Sequence, residues 1–401
     1  MSWAIVYSQV ETRLRRQQLF DLYSSSPLLG LEAAVRDGSM DILVGIFAEP
    51  LTCLRLDHYA ARYMSQVFRL ILQHSLGRLL PQSFLFRFSS VEDSFEDIKE
   101  CCTLLVEVIR VYSHLRRFRL GNWIVLRLAP DLGRVVATCT EVHSLELFYM
   151  PVNGVNFFLF IQGLTHLRMT NVASADNTNK SIVPHFINSA GADTLASLRI
   201  EHNVSIDYRW FSFHSPPIKF HRLHMLRIDN WYNEQDHGPP LETFTSIFPN
   251  LRYIAITKRP SDGRLPEPAI RMAGMLWPDL KAIEAESDIV MSFVEHHWHA
   301  LQVVKTTIRN PPESHGTGAL DICQRTGAFF RSLARCPLKI LQMVIHVDTR
   351  HSAPRGFFNL MFPVYWSHQA APCLTMLAYT AILTPAPEED PFHYFDEVCA
   401  H

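Results

Sequence analysis

Apolar residues recur along this chain at the first, fourth and sixth positions of a short unit, with mostly polar residues between them. The unit reads LTCLRL from Leu51, LRRFRL from Leu115, VHSLEL from Val142, LTHLRM from Leu164 and LASLRI from Leu195. It continues as LHMLRI from Leu223, LRYIAI from Leu251, LKAIEA from Leu280, LKILQM from Leu338 and LTMLAY from Leu374. From Leu115 to Leu280 successive starts lie about 22 to 31 residues apart. The two wide gaps, Leu51 to Leu115 and Leu280 to Leu338, each span about two periods and hold degenerate copies, SFLFRF ending in Phe86-Arg87-Phe88 and WHALQVV from Trp298. A fixed period of this size is the signature of a repeat architecture.

Half the chain is apolar, so the unit alone is common; the order of elements carries the reading. Helix-like stretches precede many copies: PLETFTSIFPN before Leu251, EPAIRMAGMLWPD before Leu280, LDICQRTGAFFRSLARCP before Leu338 and RGFFNLMFPVYWSHQAAPC before Leu374. Each closes on a proline, in FPN, WPD, RCP and APC. Proline cannot continue a helix and favours an extended residue before it, so it ends one element and starts the next. Helix, proline turn, short alternating strand and polar loop make one turn of an α/β solenoid. The fold class expected is therefore α/β, an irregular repeat solenoid shaped as a horseshoe, with strand leucines inward and the alternate positions on the concave face.

That central outward position reads Arg55, Arg87, Arg119, Glu146, Arg168, Arg199, Arg227, Ala255, Glu284, Gln342 and Ala378. Two residues on, the same face carries Asp57, Ser89, Gly121, Phe148, Thr170, Glu201, Asp229, Thr257 and Glu286. Neighbouring strands would set the arginines about 5 Å apart laterally. Such a row is either self-neutralised through Asp57, Glu201 and Asp229 or a surface for an acidic partner. The candidate partner-binding residues are Arg55, Arg119, Arg168, Arg199, Arg227 and Glu284. Exposed ion pairs add under about 1 kcal/mol each, so folding does not need the row.

Residues 1–50 read as a helical cap, through VETRLRRQQLFDLY and LEAAVRDGSMDILVGIF; 51–383 as the solenoid; 384–401 as an acidic, proline-rich flexible tail. Two longer amphipathic helices are expected through AARYMSQVFRLILQHSLGRLL and EDIKECCTLLVEVIRVYSHL, packed along the convex side. Polar loops follow strands at 173–180, 231–240, 310–318 and 348–356.

The remaining features narrow the chemistry. The formal net charge of −2 argues against nucleic acid as a partner, since phosphate binding normally shows a basic excess. The eight cysteines are scattered with no CxxC pair, so zinc or redox-dithiol chemistry is not expected and a reducing compartment, cytoplasm or nucleus, fits best. No stretch is apolar and long enough for a membrane span, and the N-terminus lacks signal-peptide order. The one metal-like cluster is Glu295, His296, His297 and His299, without HExxH order or a completing ligand. No nucleophile elbow, phosphate loop or dinucleotide fingerprint occurs. The expectation is a non-enzymatic protein with no cofactor and no metal.

The irregular repeats with their CP, FP and WPxL breakers resemble the leucine-rich half of the F-box/leucine-rich-repeat family of mushroom-forming fungi, over about residues 20 to 383. SSSPLLGLEAAV followed by ILVGIFAEPLTCLRL resembles the region just after the F-box in that family. The F-box itself, with its Leu-Pro start and late Trp, is not found. The resemblance implies a substrate-recognition scaffold of a ubiquitin ligase that holds a protein partner. It implies a Skp1-type adaptor only if an F-box lies upstream. The alternative is a structural or decoy repeat protein with no ubiquitin link, and behind it stands a metal-dependent enzyme using the Glu295, His296, His297 and His299 cluster.

Overall fold

The computed structural model describes residues 13–15, 17–19, 21–36, 38, 53–56, 59–88, 93–112, 114–122, 124–150, 158, 160–171, 187, 191–201, 219–228, 246–256, 277–287, 290, 291, 294, 300–308, 329–334, 336–348 and 374–384. The chain forms two compact units, Met1–Val204 and Ser205–His401. The repeat pattern held no hint of this division, since the unit recurs on both sides of it.

Each of the repeat copies, including the two degenerate ones, carries a strand. Unit 1 holds β1 (Cys53–Leu56), β2 (Ser83–Arg87), β3 (Arg117–Gly121), β4 (Ser144–Phe148), β5 (His166–Thr170) and β6 (Ser197–Glu201). They pair in chain order and in parallel. Unit 2 holds β7 (Met225–Ile228), β8 (Tyr253–Ile256), β9 (Ala282–Glu286), β10 (Val303–Ile308), β11 (Ile340–Asp348) and β12 (Met376–Thr384), again parallel and in order. The protein is thus α/β with parallel sheet throughout. Parallel neighbours need a crossover between them, and about two dozen residues of repeat supply it.

The entry to each strand is held the same way. The carbonyl of the residue one before the strand accepts two successive N–H groups from the next repeat. Arg116 O takes His143 N and Ser144 N, and His143 O takes Thr165 N and His166 N. In unit 2 Arg252 O takes Lys281 N and Ala282 N, and Lys281 O takes Gln302 N and Val303 N. These bonds start each ladder in register, so motif position three of one strand meets position three of the next.

In unit 1 the inward positions pack on helices. Helix α1 spans Pro27–Arg36, α2 Ala61–Gln73, α3 Phe95–Val111, α4 Ile124–Leu128 and α5 Leu132–Thr138. Pro27 occupies the first helical position, where its missing N–H costs nothing. Ser94 caps α3: its Oγ accepts from Asp97 N at 3.1 Å, the usual way to satisfy an orphan first-turn donor. Helix α2 buries Met64, Val67, Phe68 and Ile71, the three-and-four spacing of one face. The short helices α4 and α5 were not expected from the sequence, because Pro130 cuts their apolar run into pieces below a clear helical period.

The core of unit 1 centres on Phe84. Its ring lies 6.3 Å from Phe68, 6.2 Å from Phe86, 5.9 Å from Tyr112 and 6.0 Å from Phe118. Phe68 also meets Phe86 at 5.8 Å, so the inward pair of β2 is Phe84 and Phe86. This corrects the reading of Arg87 as the central outward residue. Leu85 holds that place, opposite Arg55 and Arg119, and Arg87 stands one row further along, opposite Gly121.

In unit 2, the Phe220 and Phe248 rings meet in a tilted pair with centres 5.4 Å apart. The WPD breaker does more than end an element there: Trp277 is fully buried and its Nε1–H donates to Phe248 O at 2.7 Å. One breaker is thereby fastened to the FPN breaker of the preceding repeat.

Of the expected cap, residues 13–15, 17–19 and 21–25 are helical and α1 follows. Ser26 Oγ and Tyr63 OH share a hydrogen bond at 2.9 Å, and Leu28 N donates to Tyr63 OH at 3.1 Å, which ties α1 to α2. The polar loops lie outside the described residues, apart from Asp348, which ends β11; so do residues 385–401 of the tail. No helix among the described residues is long and apolar enough to cross a membrane.

Phe84→Ala removes the ring on which four others pack. It is expected to cost about 3–5 kcal/mol, read as a lower urea midpoint for the transition of unit 1 at unchanged slope.

Candidate functional site

The sheet face opposite the aromatic core carries the predicted ladder, and the register fixes its rows. In unit 1 the central row runs Arg55, Leu85, Arg119, Glu146, Arg168, Arg199 from β1 to β6. In unit 2 it runs Arg227, Ala255, Glu284, Lys305, Gln342, Ala378 from β7 to β12. All six candidate residues, Arg55, Arg119, Arg168, Arg199, Arg227 and Glu284, therefore occupy equivalent positions within their own unit.

Glu146 is the hub of the unit 1 face. Its side chain is 6% exposed, yet it sits among cations from both neighbouring strands. Arg117 Nε donates to Glu146 Oε1 at 2.7 Å and Arg117 Nη2 closes on the same oxygen. Arg119 Nε lies 3.2 Å from that oxygen, and Arg168 Nη1 lies 4.0 Å from Oε2. Arg168 turns its other edge to Glu201, with Nε 2.8 Å from Oε2 and Nη2 closing on the same atom. A carboxylate this far from water is tolerated only when paired, and the flanking arginines supply the pairing. Of the lateral acids expected to neutralise the row, Glu201 does so; Asp57 and Asp229 lie outside the described residues.

Unit 2 repeats the device with a gap. Arg227 on β7 reaches across β8 to Glu284 on β9, Nη1 to Oε2 at 3.3 Å. The residue between them is Ala255, whose side chain is short enough to let the arginine pass. Lys305 Nζ approaches Glu284 Oε1 at 2.8 Å from the other side, and Tyr253 OH donates to Oε2 at 2.8 Å. Burial opposes ionisation of Glu284. The hydrogen bonds from Lys305 and Tyr253 and the charges of Arg227 and Lys305 outweigh it, leaving the carboxyl below its ordinary value.

Sequence reasoning missed three features. Arg117 lies two positions before the central one, and alternation places it on the same face, so extending the rows by one step would have found it. Lys305 belongs to the degenerate copy and becomes legible once Leu301 is taken as its start. Glu146 was read as a member of the row, and nothing local marks it as the meeting point of three arginines.

The cysteines at described positions are free thiols. Burial pushes Cys102 up to about 12 and Cys139 and Cys336 up to about 11, so they stay protonated and act as small core residues. Among the described residues no three His, Cys, Asp or Glu side chains gather as a metal site. Glu295, His296, His297 and His299 lie outside those residues.

A scan of the chain against protein-family models finds no match, and a search of the curated proteins finds none either.

Two outcomes are expected. Glu146→Gln leaves three arginines facing one another and should lower stability by about 1–2 kcal/mol, less than for a fully buried pair because the arginines keep water contact. Glu284 is more acidic folded than unfolded. Its contribution is thus present above the ordinary value of 4.5 and is lost as pH falls through the lowered one. Glu284→Gln should flatten the acid limb of a stability–pH curve, the loss starting as pH falls below the ordinary carboxylate value of 4.5.

Proposed function

We propose that this chain is a non-enzymatic protein-interaction scaffold. In this reading it is an irregular leucine-rich-repeat solenoid, resembling the substrate-recognition half of an F-box/leucine-rich-repeat ubiquitin-ligase receptor. The observation that carries the proposal is the sheet: one short parallel strand per repeat, in chain order within each unit, with a row of long polar side chains on the face turned away from the core. Rigid repeats that present a graded polar surface suit protein recognition, because each repeat adds contacts without altering the packing of the next. Arg55, Arg119, Arg168, Arg199, Arg227 and Glu284 are the proposed partner-facing residues, on what becomes the concave face. The site of action is the cytoplasm or nucleus. A Skp1-type adaptor is a partner if an F-box precedes these residues in the native protein.

One observation favours a second reading. Glu146, Glu201 and Glu284 already take up arginine and lysine side chains of the same face. A self-neutralised face is what a structural or decoy repeat protein with no ubiquitin link would carry.

The test is affinity purification of the tagged chain from its own cells with mass spectrometry of the retained proteins. The comparison variant is the triple Arg168→Gln, Arg199→Gln, Arg227→Gln. Glutamine is preferred to charge reversal, since a carboxylate at 168 would face Glu201. A partner that is retained by the parent and lost with the triple supports the scaffold; co-recovery of adaptor and cullin adds the ligase link. Retention unchanged in the triple removes the strand face from the proposal, and an empty eluate favours the structural reading.

A further inference from the structure

At the C-terminal ends of β3, β4 and β5 the chain turns the same way. Asn122, Tyr149 and Asn171 have φ of 83°, 54° and 54°. Their N–H groups donate to Phe148 O, Thr170 O and Glu201 O on the next strand, at 3.1, 3.0 and 3.0 Å. Asparagine enters this left-handed region readily; a bulky aromatic does not. Tyr149 is thus the exception at a position where its neighbours on both sides are the residue the turn prefers. It is also 50% exposed, so burial does not repay the strain. A strained, exposed aromatic between two relaxed equivalents points to a role outside folding.

Its surroundings suggest that role. The Arg87 guanidinium lies 5.0 Å from the centre of the Tyr149 ring. To get there from β2 it must cross β3, and the residue in its way is Gly121. A Cβ at Gly121 would fall 2.8 Å from Arg87 Cγ and 3.0 Å from its Cβ and Cδ. The glycine is therefore the gap through which the arginine passes. Beside it the Arg168 guanidinium stands 5.7 Å from the Phe148 ring. Among the described residues no carboxylate pairs with Arg87. Stacking covers the face of a guanidinium and leaves its N–H edge outward, in the geometry that accepts a carboxylate in bidentate fashion.

The charge of the face agrees. The described outward positions of unit 1 carry Arg55, Arg87, Arg117, Arg119, Arg168 and Arg199 against Glu146 and Glu201, whereas unit 2 balances Arg227 and Lys305 with Glu284 and Glu286. The chain as a whole has formal net charge −2, so the basic excess at these described positions is local to this face of unit 1.

We infer that the Arg87–Gly121–Tyr149 stack, with Arg168 on Phe148, is a docking site for an Asp/Glu-rich segment of a protein partner. This rests on the scaffold reading above and names the partner's chemistry. The Arg87–Tyr149 stack supplies the anchor, since the N–H groups of Arg168 are already turned to Glu201 and Glu146, and the surrounding arginines add long-range attraction.

The experiment uses the full chain and an array of short Asp/Glu-rich peptides, each beside its Asn/Gln counterpart, with a single-stranded oligonucleotide as a second polyanion. Acidic peptides should bind, their neutral counterparts should not, and affinity should fall as salt rises. Arg87→Gln and Tyr149→Ala should each weaken binding at least about tenfold. Gly121→Val keeps every charge and suits a strand, yet displaces Arg87, and should weaken binding comparably. Lys99→Gln, a charge loss on an exposed part of α3, should change nothing, and circular dichroism confirms that each variant is folded. The inference is overturned if no acidic peptide binds, if Gly121→Val and Tyr149→Ala bind as the parent does, or if the oligonucleotide binds equally well. A chain that ignores every acidic peptide while retaining a cellular partner loses this site and keeps the scaffold. One that binds the peptides through Arg87 but retains no partner keeps the site and loses the scaffold.

Discussion

Everything on the outward face depends on the burial of the fourth and sixth positions of each repeat. Leu54 and Leu56, Phe84 and Phe86, Phe118 and Leu120, and Leu145 and Leu147 are all fully buried. A strand alternates strictly, so burying these two residues forces the ones between and beside them onto the opposite face. A slip of one residue would expose the core and bury the arginines. The register is consequently among the most strongly specified features of the protein, and the shared carbonyl at each strand entry locks it from one repeat to the next.

Once register is fixed, the chemistry of the face is decided by which side chains stand beside each other on neighbouring strands. Strands about 4.8 Å apart bring a long cation within reach of the next strand and, over a small residue, of the one beyond. Ala255 and Gly121 use that second option in different ways. Ala255 lets Arg227 reach an acid, and the result is an internal ion pair. Gly121 lets Arg87 reach an aromatic ring, and the result is a cation held by its face rather than by its polar edge. The same geometric gap therefore serves cohesion in unit 2 and, at the inferred docking site, recognition in unit 1.

Cohesion and recognition also compete for the same arginines. Arg168 is shared between Glu146, Glu201 and the Phe148 ring. Glu146 is nearly buried and cannot be left unpaired without cost, so part of the basic excess is committed to holding the face together. Such an arrangement pre-organises the guanidinium groups, since those held by a carboxylate on one edge or a ring on one face lose less freedom when a partner arrives.

The sequence by itself determined the repeating unit, its period, the place of nearly every strand and the outward direction of Arg55, Arg119, Arg168, Arg199, Arg227 and Glu284. These are local properties: alternation within a few residues and prolines that stop helices can be read without knowing what lies alongside. Tertiary structure decided the rest. The degenerate copy at β2 has three phenylalanines at alternate positions, so alternation allows two registers; packing of Phe68 on Phe84 and Phe86 selected the one that moves Arg87 out of the central row. The hub at Glu146, the reach of Arg227 over Ala255 and the passage of Arg87 across Gly121 join residues some 20 to 60 positions apart. No local pattern encodes those meetings, because they exist only when separate strands lie side by side.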